Sequence, residues 1–252
     1  MKRIASVLLS LACGIPVAAL AQKAVPVADE PHHHLVFEDP RVRVFRVEVP
    51  AHSATLIHEH AVDYFWIAVG ASQFVNAAVG KPEAPVTAAD GSVHFTRGGF
   101  AHLARVDGDQ PFHNVTIELP QAQTNPRNLC AAVIADQPVD CASAMPRATA
   151  LFSGAAVVPE FETDQVRVTL ITIPPRATLT LSRHKHAPVF VIVDDVPGSL
   201  PVTCPVVDES KGFELQARYG NTYPLKGTGK CTVRNDAHAT VRLLAMEFAA
   251  AK

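Results

Sequence analysis

Apolar and polar residues alternate along most of this chain with the two-residue period of a half-buried strand, in runs too short for helices. The pattern predicts strands over 35–39, 41–49, 54–60, 64–70, 92–96, 102–106 and 113–119. A second series follows at 151–153, 165–173, 178–184, 188–194, 221–225, 231–235 and 240–248. Pro, Gly, Asp or Asn punctuates the runs, as short strands joined by tight turns require.

The second series repeats the first. Arg41-Val42-Arg43-Val44 and Gln165-Val166-Arg167-Val168 each open an alternating strand that ends at proline, Pro50 or Pro174. His58-Glu59-His60 and His184-Lys185-His186 come next, each before an apolar run, 64–69 and 189–193. Gly91 to Gly98 then aligns without gaps on Gly220 to Gly227, and the match runs on through Arg105-Val106-Asp107 and Arg234-Asn235-Asp236 to Glu118 and Glu247. So many coincidences in one order imply a duplication. They divide the chain into a first half over 35–120, a Pro-, Asn- and Gln-rich linker over 121–150 and a second half over 151–248.

Composition adds limits. The 252 residues suffice for two domains of ordinary size. A net charge of −2 and the absence of basic clusters give no reason to expect nucleic acid as a partner. Lys2 and Arg3, the apolar stretch 4–20 and the small-x-small Ala19-Leu20-Ala21 read as an export signal over 1–21, with no membrane attachment after cleavage. Gly14 and Pro16 interrupt the stretch, which argues against a membrane anchor. A periplasmic or secreted protein is expected. Removing the signal leaves Cys130, Cys141, Cys204 and Cys231, an even set that suggests two disulfides, with the most local pairing Cys130–Cys141 and Cys204–Cys231.

The histidines carry the candidate chemistry. Residues two apart on a strand share a face, so His58 and His60 can converge on one ion. His102 opens another strand after the turn at Gly98-Gly99, where strand pairing can bring it opposite. Three imidazoles with open positions suit one divalent Fe, Mn, Ni, Cu or Zn ion equally well. His32-His33-His34 reads as a solvated arm that binds metal at most loosely. No nucleophile elbow, phosphate loop or dinucleotide fingerprint appears.

Pro50, His58-x-His60, the apolar strand to Gly70, and Gly91-x5-Arg97-Gly98-Gly99-x-Ala101-His102 together resemble the two motifs of the cupins. The resemblance covers most of both halves. It implies an all-β chain of two tandem antiparallel barrels of jelly-roll type with short connecting turns, a bicupin, with His58, His60 and His102 on one metal. Where cupins commonly carry a glutamate ligand this chain has Tyr64, preceded by Asp63, so the first site resembles the three-histidine site of some cupin dioxygenases. Tyr64 is then either a hydrogen-bond donor beside the metal or a packed residue. Arg97 replaces an expected proline, and either meets an anionic substrate at the mouth or is solvated. In the second half Phe190 takes the glutamate position and Cys231 that of the third histidine, as a thiolate ligand or as half of a disulfide.

Three functions follow from the resemblance: a dioxygenase-type enzyme acting on a small organic molecule, an isomerase or lyase that uses the metal as a Lewis acid, or a non-catalytic periplasmic module binding metal or ligand. A homo-oligomer is compatible with each.

Overall fold

The computed structural model describes residues 23–183, 188–204, 213–225 and 229–249. The expected export signal and the second histidine pair, His184 and His186, lie outside the described residues.

Strands form where the alternation predicts them, and they assemble into four sheets. In the first half one sheet runs Val25–Pro26, His58–His60, Phe100–Val106, Ser72–Ala78, Ala84–Ala88, with Ser53–Ala54 also on Phe100–Val106. Its companion runs His33–Asp39, Val42–Val49, Phe112–Glu118, Tyr64–Ala68, Val93–Thr96. The second half repeats both orders: Phe152–Ser153, Thr178–Arg183, Gly229–Arg234, Ser199–Thr203, Phe213–Gln216, and Ala156–Glu162, Val166–Ile173, Val241–Phe248, Val189–Ile192, Thr222–Pro224, with Arg127–Asn128 added on the edge beside Ala156–Glu162. The duplication seen in sequence is therefore also a duplication of topology.

The all-β fold expected from the resemblance is present in both halves. Among the described residues no sheet closes on itself, and each half is a pair of separate sheets. Pro26 and Pro85 lie in the border strands of one first-half sheet, where a missing N–H breaks no ladder.

Several elements have no counterpart in the alternation. Ser72–Ala78 and Ala84–Ala88 fill the interval 71–91, and Ala156–Glu162, Ser199–Thr203 and Phe213–Gln216 do the same in the second half. The stretch 121–150 contains most of a helix, Cys141–Leu151, capped by Asp140, whose carboxylate accepts from the Ser143 N–H. Two disulfides, Cys130–Cys141 and Cys204–Cys231, match the local pairing.

The sheet that contains Val42–Val49 buries side chains of both parities in its central strands. In Val42–Val49 the side chains of Phe45, Val47 and Val49 join Ala68, Phe74, Ala104 and Phe112 inside the first half. The opposite parity, Val42 and Val44 with Phe65, Ile67, Val115 and Ile117, packs instead with Phe161, Val166, Val168, Val189, Leu244 and Met246. The two halves thus share one hydrophobic cluster. A third cluster, including Phe152, Leu181, Phe190, Leu200, Val233 and Cys231, fills the second half with apolar side chains.

Candidate metal centre

His58 and His60 flank the exposed Glu59 on one short strand and are each 1% exposed, so strand parity turns both imidazoles inward. Antiparallel pairing sets Phe100 opposite His60 and His102 opposite His58. Residues directly opposite share a face, and the His58 and His102 ring centroids stand 4.5 Å apart, with His60 at 5.2 and 5.6 Å from them.

A fourth imidazole joins them. His33, expected on a solvated arm, begins the strand His33–Asp39 and is buried. It pairs with Val47, an inward residue, and so faces inward itself, its ring 4.6 Å from His58 and 5.8 Å from His60. Ligand atoms of His33, His58 and His60 all lie within 4.8 Å of one another. The flanking His32 and His34 do not enter the cluster: His32 Nδ1 bonds the Glu48 carbonyl, and His34 is exposed.

The second nitrogen of each ring tells which atom is offered. Nδ1 of His58 lies 2.9 Å from the Leu56 carbonyl, of His102 2.7 Å from Asn76 Oδ1, of His33 2.6 Å from Glu30 Oε2, and of His60 3.1 Å from Glu118 Oε1. A carbonyl, an amide oxygen and an ionised carboxylate only accept, so Nδ1–H donates in each case and Nε2 keeps its lone pair. Nε2 of His58 and of His102 is buried and meets no protein partner. Burial, reinforced by neighbouring charge, lowers His58 and His60 to about 3 and His102 to about 2, so all three imidazoles are neutral at physiological pH. The group whose ligand atoms converge within 4.8 Å is His33, His58 and His60, which fits a single divalent metal ion. The expected third ligand, His102, stands beside that group and not within it.

The carboxylates behind the rings were not singled out by the sequence pattern. Glu118 is fully buried between His60 and Arg43, whose guanidinium is 2.5 Å away; burial raises its pKa despite that charge. Glu30 is also buried, but N–H donors of His33, Leu56 and His32 outweigh the burial and hold it below the usual carboxylate range. Glu118 had one sequence signal, its equivalence to Glu247; Glu30 and Asn76 had none.

Tyr64 and Arg97 part company. Tyr64 is 4% exposed and stacks on His60, ring centroids 4.0 Å apart, with burial raising its hydroxyl above the ordinary range. Arg97 is not at the chamber: its guanidinium bonds Asp63 at 2.6 Å and the Gln123 carbonyl at 2.7 Å, over the Phe95 ring. Asp63 also accepts from the Gly98 N–H, so this pair holds the turn leading to His102 and supplies no ligand. Gly98 is required there, because a Cβ would lie 2.2 Å from the Val62 carbonyl oxygen.

The chamber around the rings measures about 50 Å³ and is lined by the four histidines, Tyr64, Trp66, Phe74, Phe112, Asn114 and small residues. In the second half the position of the third histidine holds Cys231 in a disulfide with Cys204, so its sulfur is no thiolate. The interior there is packed with apolar residues.

No family model and no curated protein sequence matches the chain. Among solved structures, AerE from Microcystis aeruginosa superposes with a TM-score of 0.52 at 12% identity over 88% of this chain and 99% of its own. A salicylate 1,2-dioxygenase from Pseudaminobacter salicylatoxidans gives 0.50 at 13% identity over 82% of this chain and 71% of its own. A cupin domain from Bordetella pertussis covers 34% of this chain and 90% of its own at 20% identity, TM-score 0.33. At 12–13% identity the first two are likenesses of fold alone.

Proposed function

We propose that this chain is a bicupin whose first half binds one divalent transition metal and acts as a metal-dependent enzyme of the dioxygenase type on a small organic molecule. His33, His58, His60 and His102 hold the ion through Nε2. The observation that carries the reading is the pair of buried Nε2 atoms on His58 and His102, which meet no protein group although every Nδ1 is engaged. When bound, the ion supplies Lewis acidity and, if it is iron or copper, one-electron redox chemistry.

The chain's own residues bind and orient. Glu30, Leu56, Asn76 and Glu118 fix the four ring tautomers, Tyr64 holds the His60 ring by stacking, and the apolar lining excludes water. An isomerase or lyase reading needs a group that moves a proton near neutrality. Besides the histidines the lining offers Tyr64, whose hydroxyl stays protonated there, so the oxygenase reading is preferred.

The second half serves as a packed scaffold, and the domain layout is 35–120 and 151–248 joined by 121–150. Two disulfides support an oxidising compartment, in line with an export signal over 1–21 and a periplasmic or secreted location. Among the described residues no helix is long and apolar enough to cross a membrane.

Elemental analysis of the purified full chain tests the metal, and oxygen uptake against phenols, diketones and thiols tests the chemistry. Iron or copper at one ion per chain, lost in His58→Ala and His102→Ala, with substrate-dependent oxygen use, is the expected result. Zinc or manganese without oxygen use shifts the reading to Lewis-acid chemistry. Absence of metal at any loading overturns it.

A further inference from the structure

A second, larger space lies beside the histidine chamber. It is an open cleft of about 530 Å³ formed by the strands Ser72–Ala78 and Ala84–Ala88 and the loop 107–110. Phe74 is the one residue that lines both the cleft and the chamber.

Strand geometry shows what this means. Side chains two apart on Ser72–Ala78 share a face and are displaced by roughly 6.5–7 Å per pair of residues. Ser72 lines the cleft, Phe74 lines both spaces, and Asn76 bonds His102. Along this one face the chain therefore passes from cleft to wall to metal ligand. The wall is aromatic. Phe74 stacks on Phe112 with centroids 4.0 Å apart and planes 14° apart, and Trp66 meets both edge-on at 5.9 and 5.6 Å. Trp66 stands two residues from Tyr64, which stacks on His60.

Volume decides what passes. An apolar cavity of about 150 Å³ accommodates a benzene ring. The histidine chamber, at about 50 Å³, does not. No Lys or Arg lines the chamber or the cleft among the described residues, so neither offers a side-chain cation for an acid group.

We propose that Phe74 is the specificity-determining residue of the histidine site. Its ring, stacked on Phe112, closes the chamber to anything as wide as an aromatic ring. What reaches the histidines is a molecule of a few heavy atoms, or the narrow uncharged end of a substrate whose body stays in the outer cleft. Of the substrate types named above, unbranched thiols and linear diketones meet this limit and phenols do not. The inference rests on the metal reading of the site.

The test uses the full chain loaded with cobalt(II), whose visible spectrum reports ligands entering its coordination sphere. Cobalt uptake is measured first. The spectrum is then titrated with azide, a narrow probe, and with pyridine, a ring. The wild type is expected to respond to azide and to prefer it over pyridine. Phe74→Ala is expected to raise pyridine affinity relative to azide by at least tenfold. Phe74→Leu and Phe112→Leu, milder in volume, carry the same expectation in smaller degree and replace Phe74→Ala should it not fold. Phe74→Trp is expected to slow azide entry. Equal preference in wild type and in the folded, cobalt-loaded smaller variants overturns the role of Phe74 and leaves the metal reading intact. Failure of the wild type to take up cobalt overturns the metal reading and this inference with it.

Discussion

A buried imidazole nitrogen left without a partner costs about 1–3 kcal/mol, and this chain buries two of them side by side, on His58 and His102. A metal ion that met both would remove that cost. The support behind each ring then matters as much as the ring. Asn76 accepts from His102 Nδ1–H and sets which nitrogen faces the chamber. Asn76→Leu is expected to lower metal affinity by about 10–100-fold, read by competition with a chromogenic chelator, with the fold retained by circular dichroism. Unchanged affinity would show that the His102 tautomer needs no fixing. At this scale the sequence was legible for His58 and His60, because a spacing of two on a strand is enough to place them on one face. It was not legible for Asn76, whose partner is 26 residues away. Of the two readings open for Arg97, the structure has it half-exposed and paired with Asp63 at 2.6 Å.

At the scale of elements, departures from strict alternation concealed the most. Ser72–Ala78 carries Ser72 and Asn76 on its inward face, so the apolar parity that marks a strand is broken by residues that face the cleft or hold His102. His33–Asp39 has a register shift between Leu35 and Phe37, which blurs the parity linking His33 to the rest of its strand. A similar shift in Ala156–Glu162 lies between Pro159 and Phe161 and leaves the consecutive residues Pro159, Glu160 and Phe161 all buried. Glu160 is the casualty of that bulge: burial raises its pKa from 4.5 to about 7. A raised carboxyl binds its proton more tightly in the folded state than in the unfolded one. Its contribution to stability is therefore full below pH 4.5 and is lost as pH rises through 7. The loss amounts to about 3 kcal/mol between those two pH limits. Glu160→Gln is expected to be more stable than wild type at pH 8 by up to that amount, and to flatten the rise in denaturant midpoint as pH falls from 8 to 5. An unaltered pH profile would place the ionised carboxylate in contact with water.

For the whole molecule, the shared cluster between the halves is the dominant feature. Phe161 from the second half is fully buried against Phe65 and Phe95 of the first, with ring centroids 5.1 and 5.5 Å apart. Phe161→Ala is expected to cost about 3–5 kcal/mol. Because the cluster belongs to both halves, calorimetry should show a single unfolding transition that shifts as one in the variant. Two transitions, with only one displaced, would mean that the halves unfold independently. The same architecture accounts for the unequal copies: the second half keeps the strand order, while Phe190, Cys231 and their neighbours fill the interior where the first half keeps its histidines.

Legible in the chain before folding were the strands with clean alternation, the duplication, the even set of four cysteines with its most local pairing, and the shared face of His58 and His60. All of these follow from the two-residue period of an extended backbone or from short separations along the chain. Only the assembled fold brings His33 into the cluster, sets Glu30, Asn76 and Glu118 behind the rings, pairs Arg97 with Asp63 at a turn, and puts Phe74 between cleft and chamber. Each of these depends on the register between strands distant in the chain. That register is fixed by packing across sheets, a property of the assembled molecule that no local pattern encodes.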